Sequence, residues 1–132
     1  MGTERPVPDQ EVRGFLGLAH RAGAAIPGVE AVRQALRAGD ACLVILAGDA
    51  AAGQLKKVMA LLEHRDVPLR WMDRRDTLGS ALGRDALSAV AITNESFAEQ
   101  LLSRLPARTL RGTGLDQGGR GPKEESSTDA GR

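Results

Sequence analysis

The stretch ACLVILAGDA (residues 41–50) decides the fold of this chain. Its first part, residues 41–47, is a continuous apolar run, and the glycines Gly39 and Gly48 stand close on either side of it. A run of this kind is typical of a central β-strand covered on both faces, because side chains of both orientations are apolar. The stretch therefore predicts an α/β fold built around a buried strand.

Helices and strands alternate on both sides of this strand. Aspartates and a capping box indicate several helix starts: Asp9, Asp49, Asp73, and the pair Ser96 and Glu99. Such alternation predicts an α/β sandwich, with a small sheet between helices. In chain order the expected elements are helix 9–22, strand 24–26, a helix that ends at Gly39, strand 41–47, helix 50–64, strand 67–72, a short helix within 73–83, strand 88–93 and a helix that ends near Leu105.

Length and composition indicate one domain. The chain has 132 residues, of which 42% are apolar, and this is enough for one packed core. We expect a flexible arm at residues 1–8, a single domain at residues 9–105 and a disordered tail at residues 106–132. The tail is rich in glycine, serine and charge and has almost no apolar residues.

Charge and residue usage exclude several classes of function. The net charge is +1, and residues 1–105 carry thirteen basic and thirteen acidic side chains, so a nucleic-acid site has to be local. Three aromatic residues do not make a stacking platform for single strands. One cysteine, Cys42, allows no internal disulfide and no CxxC metal site. Without a signal sequence or a membrane-length apolar run, we expect a cytoplasmic protein that does not bind membranes.

The chain also lacks the common catalytic motifs. Its two histidines, His20 and His64, lie near predicted helix ends, where the helix dipole favours an imidazolium. Asp49 follows the central strand and could accept a phosphoryl group with Thr93 nearby, but no acidic cluster accompanies it to hold Mg²⁺, so helix capping is the simpler interpretation. We expect no enzyme activity, no cofactor, no metal and no small-molecule substrate.

Three segments at strand and helix junctions, residues 27–34, 47–50 and 83–88, are expected to converge. They offer the free amides of a helix start, arginines for phosphate or guanine, acceptors for base edges, and small residues that permit close approach. This mixture suits an irregular RNA surface, although turn glycines and a solvated helix face would explain the same residues. The candidate RNA-binding residues are Gly28, Val29, Glu30, Arg33, Gln34, Asp49, Gly83, Arg84, Asp85, Ala86, Leu87 and Ser88.

Two long stretches of the chain carry a family resemblance: FLGLAHRAGAAIPGVEAVRQALRAGDACLVILAGDA (15–50) and VPLRWMDRRDTLGSALGRDALSAVAIT (67–93). They resemble the L-seven-Ae/L-thirty-e ribosomal protein family and, within it, bacterial YlxQ-type RNA-binding proteins. The resemblance covers about residues 11–104. It implies a three-layer α-β-α sandwich around a mixed four-stranded sheet. It also implies a ribosome- or ribonucleoprotein-associated protein that binds structured RNA, either rRNA or another non-coding RNA, with ribosomal, transcription or translation proteins as further partners.

Family members that bind kink-turns place a glycine, an Asn-Glu pair and a lysine one turn later against tandem sheared G·A pairs. A second loop shelters an extruded base. By this resemblance the first element runs from Gly28 to Gln34 and the second from Gly83 to Ala89. Glu30 stands at the Asn position, Ala31 at the Glu position and Gln34 at the Lys position, with Arg33 as a substitute cation. The missing lysine and the balanced charge support a second hypothesis, a protein-interaction module of the translation or transcription machinery that keeps the fold without RNA binding.

Overall fold

The computed structural model describes residues 9–105, and the arm and tail predicted at 1–8 and 106–132 lie outside the described residues. The predicted order of helices and strands is confirmed. The elements are α1 (Asp9–Arg21), β1 (Ala25–Pro27), α2 (Val29–Ala38), β2 (Leu43–Ala47), α3 (Ala52–Leu62), β3 (Leu69–Met72), α4 (Arg75–Ala81), β4 (Ala89–Ile92) and α5 (Glu95–Leu102).

The sheet is mixed, with the strand order β1-β4-β2-β3. β2 and β3 run parallel, whereas β4 lies between β1 and β2 and is antiparallel to both. The carboxyl ends of β1, β2 and β3 and the amino end of β4 therefore meet along one side of the sheet. We call this side the upper edge and define it by Pro27, Ala47, Met72 and Ala89; the opposite side is the lower edge.

Helices cover both faces of the sheet, which confirms the three-layer α-β-α sandwich. α1, α4 and α5 pack on the face that receives Leu43 and Ile45, and α2 and α3 pack on the face that receives Val44 and Leu46. All residues of β2 are buried. This is the arrangement predicted by the apolar run, since side chains along the strand alternate between the two core layers and all of them are apolar.

The predicted helix starts are less accurate than the predicted order of helices and strands. α3 begins after Ala51 and α4 after Arg74, and neither cap residue accepts a backbone N–H of its own helix through its side chain. The cap roles predicted for Asp49 and Asp73 are therefore wrong: each stands one or two residues before the cap position, because the chain is still turning away from the strand. Asp9 is the first residue of α1 rather than a residue before it.

The predicted capping box of α5 is also wrong. Asn94 is the cap, and its side-chain oxygen accepts a hydrogen bond from the Phe97 N–H at 3.1 Å. Ser96 already lies inside the helix. The helix starts two residues earlier than the S-x-x-E pattern indicates, since asparagine directly after β4 supplies an equally good acceptor. Within residues 9–105, every helix is too short or too polar to span a lipid bilayer.

Candidate nucleic-acid interface

The three candidate segments meet at the upper edge of the sheet. The Gly28 N–H donates to the Ala89 carbonyl at 2.9 Å, and the Ala47 N–H donates to the Ser88 carbonyl at 3.0 Å. Because β4 lies between β1 and β2, the segment that enters β4 passes between the segments that leave those two strands. Residues 27–34, 47–50 and 83–88 therefore form one surface, which we call the upper-edge surface.

The amino end of α2 is open. Gly28 precedes the helix with φ 101° and ψ 147°, a conformation that side chains disfavour, and it provides no side-chain cap. A Cβ atom at this position would meet no other atom within 4 Å. The first amides of a helix have no intrahelical partners, so a ligand can reach polar backbone groups at the positive end of the helix dipole. Val29, next in the chain, is half-buried against the core.

An ion pair occupies the first turns of α2. Nη1 of Arg33 donates to both carboxylate oxygens of Glu30, at 2.9 and 3.1 Å. The Glu30 side chain is 66% exposed, whereas that of Arg33 is 25% exposed. Nε of Arg33 is buried and has no hydrogen-bond partner among residues 9–105. The cation nearest the helix start is thus neutralised in the free protein, and Gln34 stands exposed beside it.

Asp49 has its principal contact with another helix. Its Oδ1 accepts a hydrogen bond from the backbone N–H of Arg75 at 2.7 Å, and Nε of Arg75 lies 3.7 Å from the same oxygen. The carboxylate therefore caps α4 from across the upper edge. Asp49 is on the surface where the sequence predicts it, but it holds the start of α4 against the turn after β2.

The loop at residues 83–88 is fastened to α4. The Arg84 N–H donates to the Gly79 carbonyl at 2.9 Å, and the Leu87 N–H donates to the Arg75 carbonyl at 3.0 Å. Leu87 is 7% exposed and packs in the core. Ser88 is half-buried, so Arg84, Asp85 and Ala86, with Gly83 before them, form the outward part of the loop. Gly83 has φ 75°, a left-handed conformation that suits glycine at the end of a helix.

Gly79 is a buried residue beneath this surface, and no motif in the sequence indicates its role. A Cβ atom here would lie 2.7 Å from both the backbone N and the Cα of Ala86. The backbone of the loop at residues 83–88 therefore packs directly against α4, at a distance that only glycine permits. The available signal is a glycine within a predicted helix, which is unfavourable by itself and so indicates close packing.

The phosphoryl-acceptor arrangement considered for Asp49 and Thr93 is not formed. Thr93 follows the carboxyl end of β4, where Ile92 pairs with Leu43, so it lies at the lower edge, whereas Asp49 lies at the upper edge. Thr93 instead bonds to Ala24 through its backbone N–H at 2.9 Å. Among the described residues, no three His, Cys, Asp or Glu side chains gather in a group able to hold a metal ion.

Cys42 is half-buried and forms no disulfide. Burial, together with the nearby Glu95 carboxylate, raises the pKa of its thiol. A raised pKa lowers the fraction of thiolate, the form that acts as a nucleophile. The environment of Cys42 thus matches a structural thiol.

Solved structures of other proteins share this fold, including one from Bacillus halodurans C and one from Giardia lamblia. A protein with unknown function from Bacillus halodurans C is 29% identical, with a TM-score of 0.66 over 70% of this chain and 94% of that chain. The Giardia lamblia 15.5kD RNA binding protein is 20% identical, with a TM-score of 0.60 over 72% of this chain and 85% of that chain. At 20% identity, the likeness to the Giardia lamblia protein shows a shared fold only.

The amino-acid sequence is also similar to a curated protein. It is 37% identical over 91 residues to RNA-binding protein YlxQ from Bacillus subtilis (strain 168), an alignment that covers 69% of this chain and 91% of the relative. Residues 10–102 match the ribosomal protein L7Ae/L30e/S12e/Gadd45 family. This match spans almost all of the described residues, including every strand of the sheet and the whole upper-edge surface, and the chain therefore belongs to that family.

Proposed function

We propose that this protein binds structured RNA through the upper-edge surface. The observation that carries the proposal is the hydrogen bond between Gly28 and Ala89, which joins the open start of α2 to the entrance of β4 at 2.9 Å. It sets the first amides of α2 beside the exposed loop at residues 83–86. The Bacillus subtilis relative is named an RNA-binding protein, and this supports the same class of ligand here.

Each part of the surface offers a different contact to RNA. The amides at the start of α2 suit a phosphate or an electronegative base edge. Arg33 and Arg84 can donate to phosphate or guanine, while Glu30 and Gln34 can accept from base amino groups. Gly83 and Ala86 are small enough to let an unstacked base approach the backbone. Such a mixture fits recognition of a folded RNA by shape and base edges.

We further propose that the RNA is a kink-turn or a related element of rRNA or another non-coding RNA. In this proposal the protein is a non-enzymatic component of a ribosome- or ribonucleoprotein-associated complex in the cytoplasm. Family resemblance supports the placement of α2 against tandem G·A pairs. The ion pair between Glu30 and Arg33 would have to open for Arg33 to contact a phosphate.

The test is a titration of the protein with a kink-turn RNA and with a matched duplex that lacks the G·A pairs, each at two salt concentrations. We expect a preference for the kink-turn that persists at the higher salt. Arg33→Glu and Arg84→Glu should weaken it without changing the circular dichroism spectrum. Arg21→Glu is the matched control, because Arg21 is exposed at the end of α1, towards the lower edge.

Two results would contradict the proposal. Equal binding of both RNAs that disappears at high salt would indicate generic electrostatic attraction alone. Failure to bind either RNA, with protein partners captured despite nuclease treatment, would favour the protein-interaction alternative.

A further inference from the structure

Lys56 and Lys57 are adjacent cations of α3. Both are exposed, and neither forms an ion pair within the described part of the chain. In contrast, the four arginines that belong to ion pairs each meet a carboxylate within 4.0 Å: Arg33, Arg74, Arg75 and Arg104. The two lysines therefore keep their full charge available to a partner.

Their helix does not neutralise them. α3 has the sequence AGQLKKVMALL and contains no acidic residue. The positions one turn away on the outer face, Gly53 and Ala60, are small and exposed. Asp49, the acid that precedes α3, is already bonded to the backbone N–H of Arg75. A phosphate that approaches α3 thus meets two ammonium groups without a competing carboxylate on the helix.

The fold places these lysines near the upper edge, in the helix layer that also contains α2. β1 and β2 are both antiparallel to β4, so α2 and α3, which follow them, both begin at the upper edge. The two helices pack side by side on the same face of the sheet. Lys56 is the fifth residue of α3, and Arg33 is the fifth residue of α2. Each stands about 6 Å along its helix from the first residue.

We propose that Lys56 and Lys57 bind phosphates of the RNA strand that extends from the start of α2 across α3. The inference rests on the proposed function and adds a second helix to the interface. Lysine suits this role because its ammonium is a compact point charge on a flexible stem, which neutralises phosphate without reading a base. The lysines then supply affinity, whereas the upper-edge surface supplies the preference for a particular RNA structure.

The experiment compares Lys56→Ala/Lys57→Ala with the unchanged protein on the kink-turn RNA across a series of salt concentrations. Each lost phosphate contact lowers the slope of log affinity against log salt by about 0.7–0.9, so the double variant should lose about 1.4–1.8. Affinity at low salt should fall about tenfold. The ratio of kink-turn to duplex affinity should stay the same, since no base contact is removed.

Two further variants serve as controls. Lys56→Arg/Lys57→Arg keeps both charges and should keep the slope. Arg21→Ala removes one exposed charge from α1, in the opposite helix layer, and should leave the slope unchanged. Thermal melting of all variants checks that the fold is intact.

The outcomes separate this proposal from the proposed function. If the unchanged protein prefers the kink-turn but the double alanine variant retains the full salt slope, the lysines do not contact phosphate and the proposal is wrong. The same conclusion follows if Arg21→Ala lowers the salt slope, for its one charge, by as much as the double alanine variant does for each of its two charges. If the unchanged protein binds neither RNA, the proposed function fails first, and the phosphate contacts fail with it.

Discussion

The carboxylate of Asp49 accepts a hydrogen bond from the backbone N–H of Arg75 at 2.7 Å, so a residue that follows β2 caps the helix that follows β3. The carbonyl of Arg75 in turn accepts from the Leu87 N–H at 3.0 Å. These two bonds connect the turn after β2, the start of α4 and the loop at residues 83–88. Asp49 thereby acts as a positioning residue for the upper-edge surface.

Asp49→Ala should destabilise the protein by about 1 kcal/mol, the usual cost of losing a side-chain cap. Asp49→Asn keeps an oxygen acceptor in the same place and should recover most of that loss. Urea denaturation of the three proteins measures the difference in the free energy of unfolding. If Asp49→Ala were as stable as the unchanged protein, the cap would contribute nothing to α4.

Glu30→Gln should increase affinity for RNA several-fold at low salt. The change removes the carboxylate that binds Arg33 in the free protein and thus frees a cation beside the open start of α2. Its effect on stability should be small, about 0.3–0.5 kcal/mol, because exposed ion pairs one turn apart contribute little. Titration with the kink-turn RNA measures the change.

Glu99→Gln is the control for this charge effect, since Glu99 is exposed on α5 in the opposite helix layer. It alters the net charge equally and should raise the affinity much less. Weaker binding by Glu30→Gln would contradict the prediction and would mean that the contact of Glu30 with the RNA requires its negative charge.

Gly79→Ala should displace the loop at residues 83–88. A methyl group 2.7 Å from the backbone of Ala86 cannot be accommodated without a shift, and overpacking of this kind costs about 1–3 kcal/mol. We expect lower stability in urea and faster amide exchange at Arg84 and Leu87, whose N–H groups bond to α4.

Gly14→Ala provides the comparison for that change. A Cβ atom at Gly14 would meet nothing within 4 Å, and the residue lies inside α1. This substitution should leave stability unchanged or raise it by about 0.5–1 kcal/mol. Equal stability of both variants would show that the loop yields freely at Ala86.

Asp76 should titrate at unusually low pH. Hydrogen bonds from Arg74, at 2.7 and 3.0 Å, hold the pKa of the Asp76 carboxyl at about 2, below its ordinary value of 3.8. Because the pKa is lower in the folded protein, the ionised pair favours folding above about pH 4, and this contribution is lost as the pH falls from 4 towards 2. Carboxyl chemical shifts measured by NMR report the midpoint, and Arg74→Gln should return it towards 3.8. A midpoint already near 3.8 in the unchanged protein would contradict the ion pair.

The strands and layers were predictable because they depend on local patterns. The apolar run at residues 41–47 indicates a strand buried on both faces, and the alternation of helices and strands indicates the sandwich. The cap of α4 was not predictable in the same way. Asp49 and Arg75 are 26 residues apart, and no local pattern connects them.

The upper-edge surface was predictable in outline but not in its contacts. The ends of strands identify the three segments, and their convergence follows from the pairing of β4 with both β1 and β2. The spacing of Glu30 and Arg33 is typical of an ion pair within a helix. The contact of Gly79 with Ala86 depends on how closely the loop returns over α4, and the sequence does not encode that distance in any single motif.

The place of β4 in the sheet also has a consequence for how the protein is made. β1 and β2 are separated by a strand that the chain supplies only at Ala89–Ile92, near the end of the described residues. During synthesis the two earlier strands have no shared neighbour until this segment emerges, and pairing between such distant segments is slow to form. The surface around Gly28 is therefore completed only after β4 has been made. Chains that end before β4 lack it, so under the proposed function they would not bind RNA.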